Sequence, residues 1–245
     1  MLVTIDFLAF RHLRDALRAS RSPLHDAAPP PAFVKSLFVG SGPSLHAPWP
    51  RHRTSLATTL VRRDGWGPPD LRRLALLAAW HENAPKVPLR FPMVERWHGV
   101  FDPVHIDGTI DGRQPVTARA QTPSTAQPGA ILTYARGNRH PVRFLRHTNQ
   151  VVEHLHRHDG VSMAAGLTRP GGPSTVVFST LSCWTDLGQA LEFAYRACAP
   201  HAEAIQLARA GHYGSELFFA RLALVSSEGT VAGRDPFDTA VRAVA

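Results

Sequence analysis

His201 is the residue whose setting most favours chemistry. Pro200 cannot comfortably continue a helix but is favoured in the first turn of a new one, so the segment from Pro200 predicts a helix with His201 near its N-terminus. The positive end of that helix disfavours imidazolium and keeps the ring neutral, the form that binds iron. Its neighbours at helical spacing are Ala194, Ala197, Cys198, Ala204, Ile205 and Ala208, all small apart from Ile205. Such a stripe leaves room for a flat macrocycle. It equally lets a helix pack closely on a sheet with no ligand present.

Other candidates carry weaker signals. In HLHRH, His154 to His158, the first and last histidines share one face of a helix and have the spacing of a transition-metal chelate, but the same run reads as a solvated helix end. Lys35 lies in an apolar run where it either faces inward onto an anionic group or snorkels outward. Cys183 and Cys198 are too few for a disulfide framework and form no zinc motif, so both read as reduced core thiols. GSGP, Gly40 to Pro43, is a turn; neither a P-loop nor GxGxxG is present. No Ser-His-Asp set can be singled out, because such triads are defined by geometry and not by order along the chain.

The chain of 245 residues is 44% hydrophobic and 19% charged, a balance that supports a globular core and excludes disorder and collagen-like repetition. The net charge of +8 is almost all arginine, since Lys35 and Lys86 are the only lysines. Pairs such as Arg62-Arg63 and Arg72-Arg73 are scattered, without the long basic run and interleaved aromatics of a nucleic-acid groove. A basic surface also suits an acidic protein partner or an acidic ligand group. No apolar stretch is long enough for a transmembrane segment, and Arg11 and Arg14 interrupt any signal-peptide core, so a cytoplasmic protein is expected.

In chain order, LVTIDFLAF (Leu2 to Phe10) predicts a strand, His12 to Ser20 a helix, and Phe33 to Gly42 a second strand after a proline-rich loop. Thr54 to Val61 predicts a third strand, Leu71 to Trp80 a helix from its leucine and alanine content, and Arg96 to Val104 a fourth strand. Residues 107–129, poor in apolar periodicity, read as a linker. The order then returns: Ala130 to Ala135 strand, Pro141 to His158 helix, Val161 to Thr168 and Thr175 to Ser182 strands, Asp186 to Ala210 helix broken at Pro200, Glu216 to Val225 strand. The expected fold class is α+β: ferredoxin-like βαββαβ halves at 1–106 and 130–245, packed sheet to sheet as an α/β barrel within one chain.

The C-terminal half resembles the spheroidene monooxygenase-like family, bacterial haem proteins of the dimeric α/β-barrel superfamily that oxygenate carotenoids and related molecules. PHAEAIQLARAGHY followed by SELFFAR carries the likeness, with Pro200, His201, Ala202, Glu203, Ala204, Ile205, Arg209, Glu216, Ala220 and Arg221 matching the family pattern. TVVFSTLSCWTDLGQALEFAYR resembles its strand-to-helix passage, and LVTIDFLAFR, FVKSLFVGSG and VERWHGVFDPV resemble N-terminal segments in the right order. Tyr213 and Gln206 depart from the pattern, and Arg62 to Pro69 and Pro85 to Pro92 fit it poorly.

The resemblance implies a haem-dependent monooxygenase, an oxidoreductase acting on a small hydrophobic molecule such as a carotenoid or a secondary metabolite. It implies haem b with iron held by His201, propionates paired with Arg209 and Arg221 (or Arg196), and a ferredoxin-type electron donor. A haem enzyme of another reaction type (dehydration or nitrogen oxidation) and a non-enzymatic barrel for apolar ligands are the alternatives. Pairing of the halves removes the usual need for a dimer, although sheet edges leave an oligomer possible.

Overall fold

A computed structural model of the chain describes residues 1–21, 24, 27, 29–40, 44–45, 69–82, 91–119, 126–137, 150–151, 154–155, 158–169 and 176–238. The elements are β1 (Leu2–Phe10), α1 (Leu13–Arg21), β2 (Phe33–Gly40), β3 (Ser44–Leu45), β4 (Pro69–Trp80), β5 (Met93–Gly108), β6 (Gly129–Arg136), β7 (Val161–Arg169), β8 (Val177–Trp184), α2 (Leu187–Glu192), a π turn (Phe193–Ala197), α3 (Ala199–Arg209) and β9 (Glu216–Gly229). The protein is α+β, and its strands form one antiparallel sheet in the order β2-β4-β1-β5-β9-β6-β8-β7-β3. β2 also pairs with β7 through Phe38↔Thr168 and Val39↔Leu167, so the hydrogen-bonded order comes back to its start.

The helix expected over Leu71 to Trp80 is instead β4, and the reason is tertiary. β4 is hydrogen-bonded on both edges, to β1 from Leu2↔Trp80 to Ala9↔Arg73 and to β2 from Phe33↔Ala79 to Gly40↔Pro69. It is also buried on both faces, and a doubly buried strand reads as a near-continuous apolar run in which no period of two survives. The strand expected at Thr54 to Val61 lies outside the described residues. Of Pro141 to His158, residues 150, 151, 154 and 155 are described as helical.

Alternate residues of the strands point to a central core that includes Val3, Ile5, Phe7, Leu132, Leu181 and Leu222. Within it Phe7, Trp97, Phe101 and Phe237 form an aromatic cluster with ring centroids 5.8–6.3 Å apart. The opposite faces of the strands carry the helices. α1 packs Ala16 and Ala19 against Leu8, Phe10, Leu74 and Leu76, while Phe193 and Ala190 pack with Trp184 and Leu155 in the second half.

A repeat joins the halves. GTIDGRQPV (108–116) leaves β5 and GTVAGRDPF (229–237) leaves β9, and the two segments fold alike. Each makes a tight bridge, Ile110↔Arg113 and Val231↔Arg234. Glu216, at the start of β9, accepts from Thr109 Oγ1 (3.1 Å) and Gly112 N (2.6 Å); Glu95, near the start of β5, accepts from Thr230 Oγ1 (2.9 Å) and Gly233 N (2.7 Å). Each hook returns a buried apolar residue to the core, Val116 in one and Phe237 in the other. The carboxylate of one half therefore fixes the hook of the other.

Candidate functional site

The local sequence explains the setting of His201. Asp186 accepts from Gly188 N (2.6 Å) and caps α2. Pro200 lacks the N–H that would reach the Arg196 carbonyl and crowds that carbonyl, so the helix widens into the π turn and breaks at Cys198, which is extended (φ −125°, ψ 92°). The break falls two residues before the proline, and α3 starts afresh with Pro200 in its first turn and His201 behind it.

His201 Nδ1 donates to the Ala194 carbonyl (3.1 Å), since a carbonyl oxygen only accepts. A neutral ring with its proton on Nδ1 carries its lone pair on Nε2. Burial pushes the pKa of His201 below its ordinary value, partly offset by the Ala194 hydrogen bond, which favours that neutral form near pH 7. The imidazole lies against Phe193 (5.6 Å between centroids), and Phe193 lies against Trp184 and His158 (5.5 Å each). Cys198 is buried with its thiol pKa raised by burial, so it stays a thiol.

The sheet beneath this cluster differs between the halves. Cross-strand register makes the first-half rows His98–Asp6–Leu76 and Val100–Thr4–Ala78 equivalent to the second-half rows Phe219–Thr133–Thr180 and Arg221–Ile131–Ser182. All six first-half residues are buried, and Asp6 there accepts from Arg96 Nη2 (2.8 Å) and His98 Nδ1 (2.9 Å). All six second-half residues are half-buried. Leucine gives way to threonine and alanine to serine. Thr133 and Thr180 share a hydroxyl hydrogen bond (2.5 Å), and Trp184 Nε1 donates to Ser182 Oγ (2.8 Å). No described side chain of α3 is buried. The second half thus presents a half-buried layer in which Thr133, Thr180 and Ser182 stand beside Phe219, Ile131 and Arg221, where the equivalent first-half residues are buried.

Arg221 stands in this layer opposite Ile131, which packs on the Trp184–Phe193 cluster. Its Nε is buried without a hydrogen-bond partner among the described residues, a costly state for a permanently charged group. Arg209 is exposed at the last position of α3, eight residues beyond His201, where it complements the negative helix end. Arg196 is exposed in the π turn. His201 and Arg221 are therefore tied to one face, and Arg209 lies at the far end of the helix.

Two other sequence candidates find partners within the chain. His158 lies past the helical residues, its Nδ1 accepting from Gly160 N (3.2 Å), while His154 Nδ1 donates to the Gln150 carbonyl (2.8 Å), so the helical chelate geometry is not formed. Lys35 faces inward and is buried, its Nζ 2.6 Å from Asp111 Oδ2 and 5.7 Å from the Tyr134 ring centre. Burial, with Asp111 and Glu216 nearby, raises the Tyr134 pKa and keeps the phenol protonated. Two cavities in the strand interior have about 10 Å³ each, room for roughly one water molecule.

Sequence reasoning missed the π turn, the Thr133–Thr180–Ser182 surface and the repeated hooks. The hooks were open to detection, because GT, GR and P recur at the same spacing.

No family model matches the chain. It is similar to spheroidene monooxygenase of Cereibacter sphaeroides, 28% identical over 180 residues that cover 69% of this chain and 54% of that protein. It is also similar to spheroidene monooxygenase of Rhodobacter capsulatus, 27% identical over 73% of this chain and 78% of that protein. The match thus spans about half the length of the first relative and most of the second. The resemblance expected from the residues holds. Among solved structures, a candidate monooxygenase of Fusobacterium nucleatum aligns over 96% of both chains (TM-score 0.37, 11% identity), and a haem-degrading enzyme of Listeria monocytogenes over 90% of this chain and 99% of its own (TM-score 0.30, 9% identity). At those scores neither bears on fold or activity.

Proposed function

We propose that this protein is a haem-dependent monooxygenase acting on a small hydrophobic molecule, with haem b in the half-buried layer of the second half. The observation that carries this reading is the His201 hydrogen bond: Nδ1–H is fixed on the Ala194 carbonyl, so Nε2 bears the lone pair that binds iron. The residues present fit the group. Phe193 packs against the imidazole, the depressed pKa keeps it unprotonated, and Arg221 brings a guanidinium nitrogen, unpartnered among the described residues, for a propionate. Thr180 and Ser182, where the first half has Leu76 and Ala78, with Thr133 beside them, give the sheet side half-buried hydroxyls. Bound haem supplies the oxygen chemistry that no side chain here provides. Arg209 serves a propionate only from the end of α3, which makes it the weaker partner of the two arginines.

The same reading takes the architecture as two ferredoxin-like halves, 1–106 and 130–245, joined by 107–129 and closed as a barrel. Its support is the strand order, which, with the two-residue β3 set aside, runs fourth, first, third, second in each half, together with the β2–β7 pairing and the matched hooks. The substrate is a carotenoid or another apolar metabolite, the electron donor is a ferredoxin-type protein, and the site of action is the cytoplasm. The names of the two spheroidene monooxygenases support the reaction class.

The test is the absorption spectrum of protein produced with a haem precursor, compared with His201→Ala. A Soret band with about one iron per chain, lost in the variant while circular dichroism is unchanged, is the expected result. A colourless parent that remains folded after reconstitution overturns the proposal.

A further inference from the structure

The outward face of α1 is built the wrong way round for a helix that serves only the core. Its contribution to the first-half core is Ala16 and Ala19, whereas Leu13 and Leu17, one turn apart, are 43% and 37% exposed. Arg14, Arg18 and Arg21 follow at spacings of four and three and are all exposed, with Arg11 and His12 exposed just before the helix. Among the described residues the one ion pair this stripe makes is Arg14 with Asp15, at 3.8 Å, and Asp15 is buried.

The sheet adds to the same end of the molecule. Register places Ala9 opposite Arg73 and Phe10 opposite Met93, so the first residues of β4 and β5 lie beside the strand end from which α1 departs. There Leu71 is 36% and Val94 65% exposed. Four of the six large apolar side chains exposed among the described residues thus gather at one end of the first half, beside an arginine stripe.

We propose that this end is a docking surface for an anionic phospholipid bilayer. Charge complementarity selects an anionic occupant, because guanidinium groups pair bidentately with phosphate and the chain carries +8 overall. The leucines select lipid over an acidic protein. They protrude between the arginines from a convex helix face, where they enter the headgroup region without a shaped counterpart. The surface lies on the first half, and its role does not depend on the cofactor.

Flotation of the full chain with vesicles of phosphatidylcholine and phosphatidylglycerol, against phosphatidylcholine alone, tests the proposal. Binding is expected only to the anionic vesicles, falling as salt rises. Arg14→Gln with Arg18→Gln is expected to weaken it roughly thirtyfold, at about fivefold per basic residue near the surface. Leu13→Ser with Leu17→Ser is expected to abolish flotation at moderate salt. All variants change exposed side chains, and circular dichroism checks that they fold. Absence of binding to anionic vesicles overturns the proposal. So does binding that the leucine variant retains and an acidic peptide displaces, which assigns the face to an acidic protein.

Discussion

At the residue scale, His201 joins three properties that a single substitution can separate: a fixed Nδ1, a depressed pKa and a lone pair on Nε2. The depressed pKa has a consequence for stability. The unfolded chain titrates this ring near its ordinary 6.5, while the native ring binds its proton only at lower pH, so the unfolded state holds more protons in between. Stability from His201 is therefore complete above about 6.5 and is lost as pH falls from there through the native pKa. In urea titrations between pH 7 and pH 5, His201→Gln is expected to lose less stability than the parent; an identical slope in both proteins contradicts a depressed native pKa. His201 could be singled out as a candidate because Pro200 marks a helix start, which the structure has there. Arg221 was a candidate only through family resemblance, since its buried Nε, without a partner among the described residues, is a product of packing.

At the element scale, the hooks show how little sequence fixes a demanding backbone. Gly108 (φ +84°) would place a Cβ 2.1 Å from the Leu217 carbonyl oxygen, and Gly229 (φ +86°) would place one 2.1 Å from that of Arg96. Gly112 (φ +71°) has open space around it. Gly108→Ala and Gly229→Ala are each expected to cost more than about 2 kcal/mol in urea unfolding, combining αL strain with backbone overlap. Gly112→Ala carries only the conformational strain and is expected to cost about 1 kcal/mol. Equal, small losses at all of these positions would show that the hooks relax freely. β1, α1, β2 and β6 to β9 could be read from local patterns, whereas β4 could not. Its leucines and alanines favour a helix in isolation, and the hydrogen bonds from β1 and β2 outweigh that preference.

At the scale of the whole molecule, β5 and β9 pair from Trp97↔Gly229 to Gly108↔Phe218 and unite the halves in one sheet. Each half also anchors the other's hook through Glu95 or Glu216. Neither half keeps its own closure alone, so a single cooperative transition is expected, with tryptophan fluorescence and far-ultraviolet circular dichroism coinciding in urea. Two separated transitions would show halves that fold independently. The sequence by itself determined the α+β class, the strand and helix positions of the second half, the break before α3 and the resemblance around His201, because each follows from turn residues, periodicity or motif over short spans. Tertiary structure alone decided that Leu71 to Trp80 is a strand, that Lys35 meets Asp111, and that the second-half layer is half-buried where the first is buried. Those outcomes depend on which residues distant in the chain share a face, and strand register sets that through hydrogen bonds and burial summed over the whole sheet.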